Sequence, residues 1–139
     1  MKKGMFIAMV LVSFLAISAF AAQSMKIAVA SAGKTPEAAV SDMPASAPYF
    51  LLFDGKGKLL EAIDNPYKNA LNPAAGTANI NVEKLAADLA NYFADKGATV
   101  VVAEFFGPPI VDSMKARGIA PATFKGTAQD AVKKVLQSK

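Results

Sequence analysis

Short apolar runs with strand-like patterning are spread along the chain from residue 25 onwards. Residues 25–30 are rich in apolar and β-branched side chains and predict a first strand. Residues 49–54 and 59–64 are two further runs separated by Gly-Lys-Gly-Lys, a pattern that predicts a β-hairpin. Residues 99–103 are continuously apolar, which favours a parallel strand covered on both faces.

Helical spacing appears between these later runs. Asn81 is a typical N-cap residue, and apolar side chains recur at intervals of three or four from Leu85 to Phe93. Gly97 ends this pattern, as glycine does at many helix termini. We therefore predict a first helix between Asn81 and Gly97 with its apolar side in the core.

Two more helices and one strand follow. Pro108 suits the first turn of a helix that Gly118 closes. Residues 119–124 predict a last strand at an edge of the sheet, because Pro121 has no N–H to donate. Thr127 caps a third helix. A hairpin followed by two strand–helix crossovers indicates an α/β fold, with one mixed sheet and helices on both faces.

The first residues have the pattern of an export signal. Two lysines precede an apolar run over residues 5–17, and Ala-Phe-Ala ends at Ala21, where a signal peptidase would cleave. We predict a signal peptide at 1–21, a single domain at 22–139, and a periplasmic or secreted location. The alternative is an uncleaved membrane anchor, because residues 4–22 carry no charge over almost a spanning length.

Charge and composition narrow the possible functions. The chain has 15 Lys and Arg against 11 Asp and Glu, and loss of Lys2 and Lys3 with the leader leaves a net charge of +2. That excess is too small to favour nucleic acid. There is no Cys and no His, which excludes disulfides, thiol and imidazole catalysis, and the usual zinc, haem and iron–sulfur ligands. Tyr and Lys remain as acid/base candidates, but nothing in the sequence places them together, so no nucleophile–base pair suggests a hydrolase.

Ligands of open α/β sheets bind at the carboxyl ends of strands where the strand order reverses. The first strand leads there into Ser-Ala-Gly-Lys, and the strand at 99–103 leads into Phe-Phe-Gly-Pro, which also opens a helix with free N–H groups. Both sequences are also common in simple solvated turns. The long loop at 31–48, expected to be mobile, and a second one at 65–77 border this region. The candidate residues here are Ser31, Gly33, Lys34, Phe105, Phe106, Gly107 and Pro108, with Arg117 as a second counter-charge beside Lys34.

Phe105 and Phe106 are adjacent at the end of a strand, where successive side chains point to opposite faces. They are therefore not expected to share one core. Either one of the two rings is exposed, or it packs beneath the loop at 31–48.

Several short sequences occur in the order found in a known family. They are Met25 to Ser31, Val40-Ser41, Ala47-Pro48-Tyr49-Phe50-Leu51, Asp64-Asn65-Pro66, Ala75-Gly76, Gly107-Pro108, Gly118-Ile119 and Gly126-Thr127. With them the chain resembles the dinitrogenase iron-molybdenum cofactor biosynthesis family, which has a ribonuclease H-like fold. It is similar to nitrogenase cofactor carriers and to the molybdenum–copper orange protein.

This resemblance implies the sheet order 3-2-1-4-5 with the second strand antiparallel. It also implies a non-catalytic protein that binds a metal–sulfur cluster of molybdenum, iron or copper, or carries it to a partner protein. Some similar proteins hold a sulfide cluster without covalent protein ligands. A nuclease is excluded, because two-metal nucleases need carboxylates that begin on the first strand, and this strand has none.

The chain departs from the family in two respects. Where the family commonly has His-Phe-Gly, this chain has Asp42-Met43-Pro44-Ala45, so a histidine ligand is lacking, and Ser41 and Asp42 join the candidate residues. The predicted leader would also take the protein out of the cytoplasm, where nitrogenase is assembled.

Two hypotheses follow. The first is an exported binding or carrier protein for a metal–sulfur cluster or similar anionic metal cofactor, held non-covalently at the carboxyl ends of strands 1 and 4. The alternative is a cofactor-free periplasmic protein–protein interaction module, in which a phenylalanine at 105 or 106 is exposed. Neither hypothesis involves nucleic acid, or the membrane once the leader is cleaved.

Overall fold

The computed structural model describes residues 25–70 and 81–138, in which five strands and three helices follow the predicted order. The signal peptide predicted at 1–21 and residues 71–77 of the second predicted loop lie outside the described residues. The elements are β1 (Lys26–Ser31), β2 (Tyr49–Asp54), β3 (Leu59–Asp64), α1 (Val82–Asp95), β4 (Val100–Ala103), α2 (Pro108–Ala116), β5 (Ala120–Thr123) and α3 (Ala128–Gln137).

The strands form one mixed sheet in the order β3-β2-β1-β4-β5. β2 is antiparallel to β1 and β3, whereas β4 and β5 are parallel to β1. The predicted order is therefore confirmed, and the strand with Pro121 lies at an edge. In the β2–β3 turn, Asp54 accepts hydrogen bonds from the backbone N–H groups of Lys56 and Lys58, both at 2.9 Å.

One face of the sheet is covered by α1 and α2. Phe50 of β2 packs edge-on against Phe93 of α1, with ring centres 4.8 Å apart, and both are fully buried. Met114 of α2 is buried in the same cluster. The apolar stripe predicted on the first helix is thus core.

Among the three described helices, α3 covers the other face. Its Ala128, Ala131 and Val132 pack on the inward side chains of β1, β2 and β4. Thr127 caps the helix as predicted, since its hydroxyl accepts the Asp130 N–H at 3.1 Å. Helices therefore lie on both faces, two on one and one on the other.

The loop at 31–48 is tied to its neighbours by backbone hydrogen bonds. Val40 bridges Ser31, and Ala39 bridges Thr127. Further along, the amide of the buried Asn65 donates to the carbonyls of the 44–47 turn, over distances of 2.8 to 3.2 Å. The loop expected to be mobile therefore has a defined path over the carboxyl ends of the strands.

Candidate functional site

The parallel strands β1, β4 and β5 all end at the same edge of the sheet, where the loop at 31–48 crosses them. The N–H of Glu104 donates to the carbonyl of Ser41 at 3.0 Å, and the N–H of Phe105 donates to that of Asp42 at 2.8 Å. Because these bonds join the loop to the segment after β4, they bring Asp42 beside Glu104 and Phe105. Three of the candidate residues, Ser41, Asp42 and Phe105, therefore lie together here.

An open depression with a volume of about 610 Å³ lies at this place, at the carboxyl ends of β4 and β5. We call it the β4–β5 depression. Its walls are Asp42, Glu104, Phe105, Thr123, Phe124, Lys125 and Lys134.

The depression combines aromatic surface with charges of both signs. Phe105 is 56% exposed, and the ammonium of Lys134 lies 5.9 Å from the centre of the Phe124 ring. Lys125 lies two residues after the edge strand β5, and Lys134 belongs to α3. Asp42 and Glu104 supply two carboxylates to the same depression. Such a surface can bind a polarisable anion through its ammonium groups and rings, and the carboxylates oppose that attraction.

Phe105 and Phe106 point in opposite directions, as the alternation of strand side chains predicts. Phe106 is 9% exposed and belongs to the core beneath α1 and α2, whereas Phe105 is exposed at the depression. Of the two alternatives, exposure of one ring is confirmed. Packing of the second ring beneath the loop is wrong.

The start of α2 offers fewer N–H groups for an anion than predicted. Pro108 and Pro109 have no N–H, and the amides of Ile110 and Val111 both donate to the carbonyl of Gly107, at 3.2 Å. Of the four donors that a helix N-terminus normally leaves unpaired, here those of residues 107–110, two are therefore missing and that of Ile110 is used. The N–H of Gly107 is left, which makes this helix start a weak anion site.

The turn after β1 uses its own polar groups. The hydroxyl of Ser31 donates to the carbonyl of Gly33 at 2.7 Å and accepts the Gly33 N–H at 3.2 Å. A Cβ at Gly33 would lie 3.0 Å from that of Ala38, so the turn leaves little space for a side chain. The ammonium of Lys34 lies 5.3 Å from the centre of the Tyr49 ring, on the β2 side of β1. Lys34 therefore points away from the β4–β5 depression.

Arg117 is the candidate residue that the fold separates most clearly from the others. It is the C-cap of α2, and its guanidinium donates to the side-chain oxygen of Asn91. A nine-residue helix extends about 13 Å, so Arg117 lies at the opposite end of the sheet from Phe105. Its predicted role as a counter-charge at the crevice is wrong.

A smaller cavity of about 110 Å³ lies between the starts of α1 and α2. It is lined by Met43, Pro44, Ala45, Val82, Leu85, Ala86, Leu89, Gly107, Pro109 and Ile110. Its lining within residues 25–70 and 81–138 is apolar or backbone, with no charged side chain.

Sequence reasoning missed most of the wall of the β4–β5 depression, namely Glu104, Thr123, Phe124, Lys125 and Lys134. One signal was visible, because Phe124 ends the strand predicted at 119–124 and Lys125 follows that strand directly. Among residues 25–70 and 81–138, no three carboxylates come close enough together to hold a metal ion.

Comparison with known proteins relates this fold to cofactor proteins. The family model described as "Dinitrogenase iron-molybdenum cofactor" matches residues 25–138. The apo form of the orange protein from Desulfovibrio gigas has 23% identity and a TM-score of 0.65, over 82% of this chain and 88% of that one. The solution structure of a proposed NifB protein from Thermotoga has 25% identity and a TM-score of 0.61, over 81% and 88%. No curated protein matches in sequence.

Proposed function

Because the chain belongs to the dinitrogenase iron-molybdenum cofactor family, we propose that it is an exported, non-catalytic carrier of a metal–sulfur cluster or a similar anionic metal cofactor. The cargo binds without a covalent bond in the β4–β5 depression. This site is one strand further along the sheet than the crevice predicted between strands 1 and 4. The observation that supports it best is the pairing of two lysines with exposed aromatic surface at the carboxyl edge of the sheet.

The chemistry of the depression suits a thiometallate anion. A cluster with sulfide on its outside spreads its negative charge over large, polarisable atoms. The ammonium groups of Lys125 and Lys134 supply charge-assisted hydrogen bonds to such atoms, and the rings of Phe105 and Phe124 supply dispersion contacts. Since the whole sequence has no Cys or His, a cargo held by charge and shape agrees with the side chains available.

The carboxylates of Asp42 and Glu104 suit a site that releases its cargo better than a site that holds a cofactor permanently. Both line the depression, so its four charged groups sum to about zero before cargo binds. Repulsion between these carboxylates and an anion limits its affinity. A protein that must pass its cargo to a partner requires such a limit, because overly tight binding would prevent release.

Export follows from the predicted signal peptide and places the carrier in the periplasm or outside the cell. Fractionation of the native cells tests this part alone. We expect the protein in the periplasmic or secreted fraction, with its N-terminus at residue 22. A chain recovered from the cytoplasm with Met1 in place would contradict export without affecting the cargo proposal.

The cargo proposal is tested on protein purified from its native source. We expect molybdenum, iron or copper together with sulfide, and a visible absorption band from sulfide-to-metal charge transfer. Metal-free protein is then titrated with tetrathiomolybdate, and a saturable change in that band is expected. Protein that is colourless and metal-free, and that also fails to take up tetrathiomolybdate or iron sulfide, contradicts the proposal.

Exposure of Phe105 favours a second candidate function, a cofactor-free protein–protein interaction module. A 56% exposed phenylalanine beside charged groups is typical of an interface anchor. The test is capture of exported partners with the wild type and with Phe105→Ala. The matched control is Leu60→Ala, because Leu60 of β3 is 49% exposed at a distant edge. A specific partner lost only with Phe105→Ala supports this candidate, and equal capture by all three proteins contradicts it.

A further inference from the structure

The two ends of the sheet carry opposite charge. At the amino end, where β1, β4 and β5 begin and the three helices finish, the cations are Lys26, Lys56, Lys58, Lys96, Lys115 and Arg117, and the carboxylates are Asp54, Glu61 and Asp95. At the carboxyl end the cations are Lys34, Lys68, Lys84, Lys125 and Lys134, and the carboxylates are Glu37, Asp42, Asp64, Glu83, Glu104 and Asp130. Lys133, Asp88 and Asp112 lie between the ends. The net charge of +2 does not reveal this distribution. The charged residues are scattered along the sequence, and folding groups them at the two ends of the sheet.

Helix dipoles explain part of this distribution. Lys96, Lys115 and Arg117 lie at helix C-termini, where cations are favoured, and Glu83 and Asp130 lie in first turns. Lys56 and Lys58 have no such reason, since both are exposed in the β2–β3 turn.

The carboxylates at this end stay charged but are outnumbered. The backbone N–H of Lys58 lowers the pKa of Asp54, while desolvation opposes this shift and Lys56 adds to it, so Asp54 is an anion beside these two lysines. The carboxylate of Glu61 lies 4.0 Å from the ammonium of Lys96 and offsets its charge. Six cations against three carboxylates leave the amino end with a net charge of +3.

The same end is where the preceding chain enters the domain. β1 begins at Lys26, and residues 4–22 of the sequence are uncharged and mostly apolar. Only three residues separate Ala22 from Lys26, and these extend at most about 11 Å. If the protein is exported, this end of the domain lies beside the bilayer as long as the leader is in the membrane. This holds whether the leader is later cleaved or retained.

We infer that the amino end of the sheet, with Lys56 and Lys58 at its centre, is a surface that binds the anionic headgroups of the membrane across which the protein is exported. This inference rests on the proposed export, but it is independent of the cargo. Contact through this end orients the β4–β5 depression away from the bilayer, where a partner protein can reach it. The carboxyl end, with one carboxylate in excess, gains no comparable attraction from the same headgroups.

The test is co-sedimentation of the purified, cargo-free chain with vesicles of phosphatidylcholine alone or mixed with phosphatidylglycerol. Two double variants lose the same charge at opposite ends: Lys56→Gln with Lys58→Gln at the amino end, and Lys68→Gln with Lys84→Gln at the carboxyl end. Binding to neutral vesicles measures the contribution of any retained leader and is subtracted. Fractionation of the same cells reports export separately.

We expect the wild type to bind the anionic vesicles in a salt-sensitive way. The Lys56 and Lys58 double variant should bind roughly 25-fold more weakly at low ionic strength, and the Lys68 and Lys84 double variant should bind like the wild type. Equal weakening of both variants would show a simple net-charge effect and overturn the inference. No preference for anionic over neutral vesicles, or tighter binding to dextran sulfate than to the vesicles, would also overturn it.

Discussion

The two faces of the sheet differ in how completely helices cover them. α1 and α2 together cover one face and bury an aromatic core in which the rings of Phe50 and Phe93 are in contact. In the described part of the chain α3 is the one helix on the other face. An apolar groove of about 170 Å³ lies between it and β5, and the groove shares Thr123, Phe124 and Lys134 with the β4–β5 depression. The comparison indicates that the first face supplies most of the stability, while the second leaves space for a ligand.

The largest expected effect is on the stability of the two-helix face. Phe93→Ala removes a fully buried ring and should lower the free energy of unfolding by about 3–5 kcal/mol. Val132→Ala removes two methyl groups from the α3 face and should cost only about 1–2 kcal/mol. Urea denaturation followed by circular dichroism measures both. Equal losses would contradict the assignment of stability to the first face.

The next effect is on cargo binding at the α3 face. Changing both Lys125 and Lys134 to Gln removes two charge-assisted contacts and should weaken tetrathiomolybdate binding by about 100-fold. Both side chains are exposed, so the free energy of unfolding should change by less than about 0.5 kcal/mol. The matched control is Lys133→Gln, the exposed neighbour of Lys134 that does not line the depression. If the double variant and the control bind tetrathiomolybdate with similar affinity, the cargo does not bind in the β4–β5 depression.

A smaller effect is expected where the loop joins the first face. Asn65→Ala leaves the buried carbonyls of Pro44 and Ala47 without their donor, which should cost about 1–3 kcal/mol in unfolding free energy. Asn69→Ala, at an exposed position four residues on, serves as the control and should be neutral. If thermal unfolding of the two variants coincides, the Asn65 contacts do not stabilise the loop.

The smallest effect is expected at the start of α2, on the two-helix face. Pro108→Ala restores one N–H to a helix terminus that lacks two because of its prolines. Because the proposed cargo lies on the other side of Phe105, its affinity should change by less than about twofold, which is within about 0.4 kcal/mol. Tetrathiomolybdate titration checks this, and binding that tightens tenfold would place the anion at the helix after all.

The elements of this fold could be predicted from the sequence because each one depends on local periodicity. The run at 99–103, the cap at Asn81 and the proline in the edge strand all have local physical causes. The order of the strands in the sheet could not be predicted in this way. It was predicted correctly from the family resemblance, since the residues alone indicated only a mixed sheet.

The site was harder to predict because its parts are distant in sequence. Lys125 and Lys134 are nine residues apart, and they line one depression only because α3 packs back over the sheet. Arg117 was assigned wrongly for the opposite reason, since the length of α2 separates it from residues ten positions earlier. The lack of N–H groups at Pro108 and Pro109 was visible in the sequence, and it weakens any anion site there.

The central claim is that the anionic cargo binds in the β4–β5 depression. The most direct measurement is a two-dimensional amide NMR spectrum of the ¹⁵N-labelled protein titrated with tetrathiomolybdate, which is diamagnetic and leaves the signals sharp. The account predicts that the largest shifts occur at Glu104, Phe105 and residues 123–125, and that Lys134→Gln reduces them. Largest shifts at residues 31–34 or 107–111, or no saturable shifts at all, would contradict it.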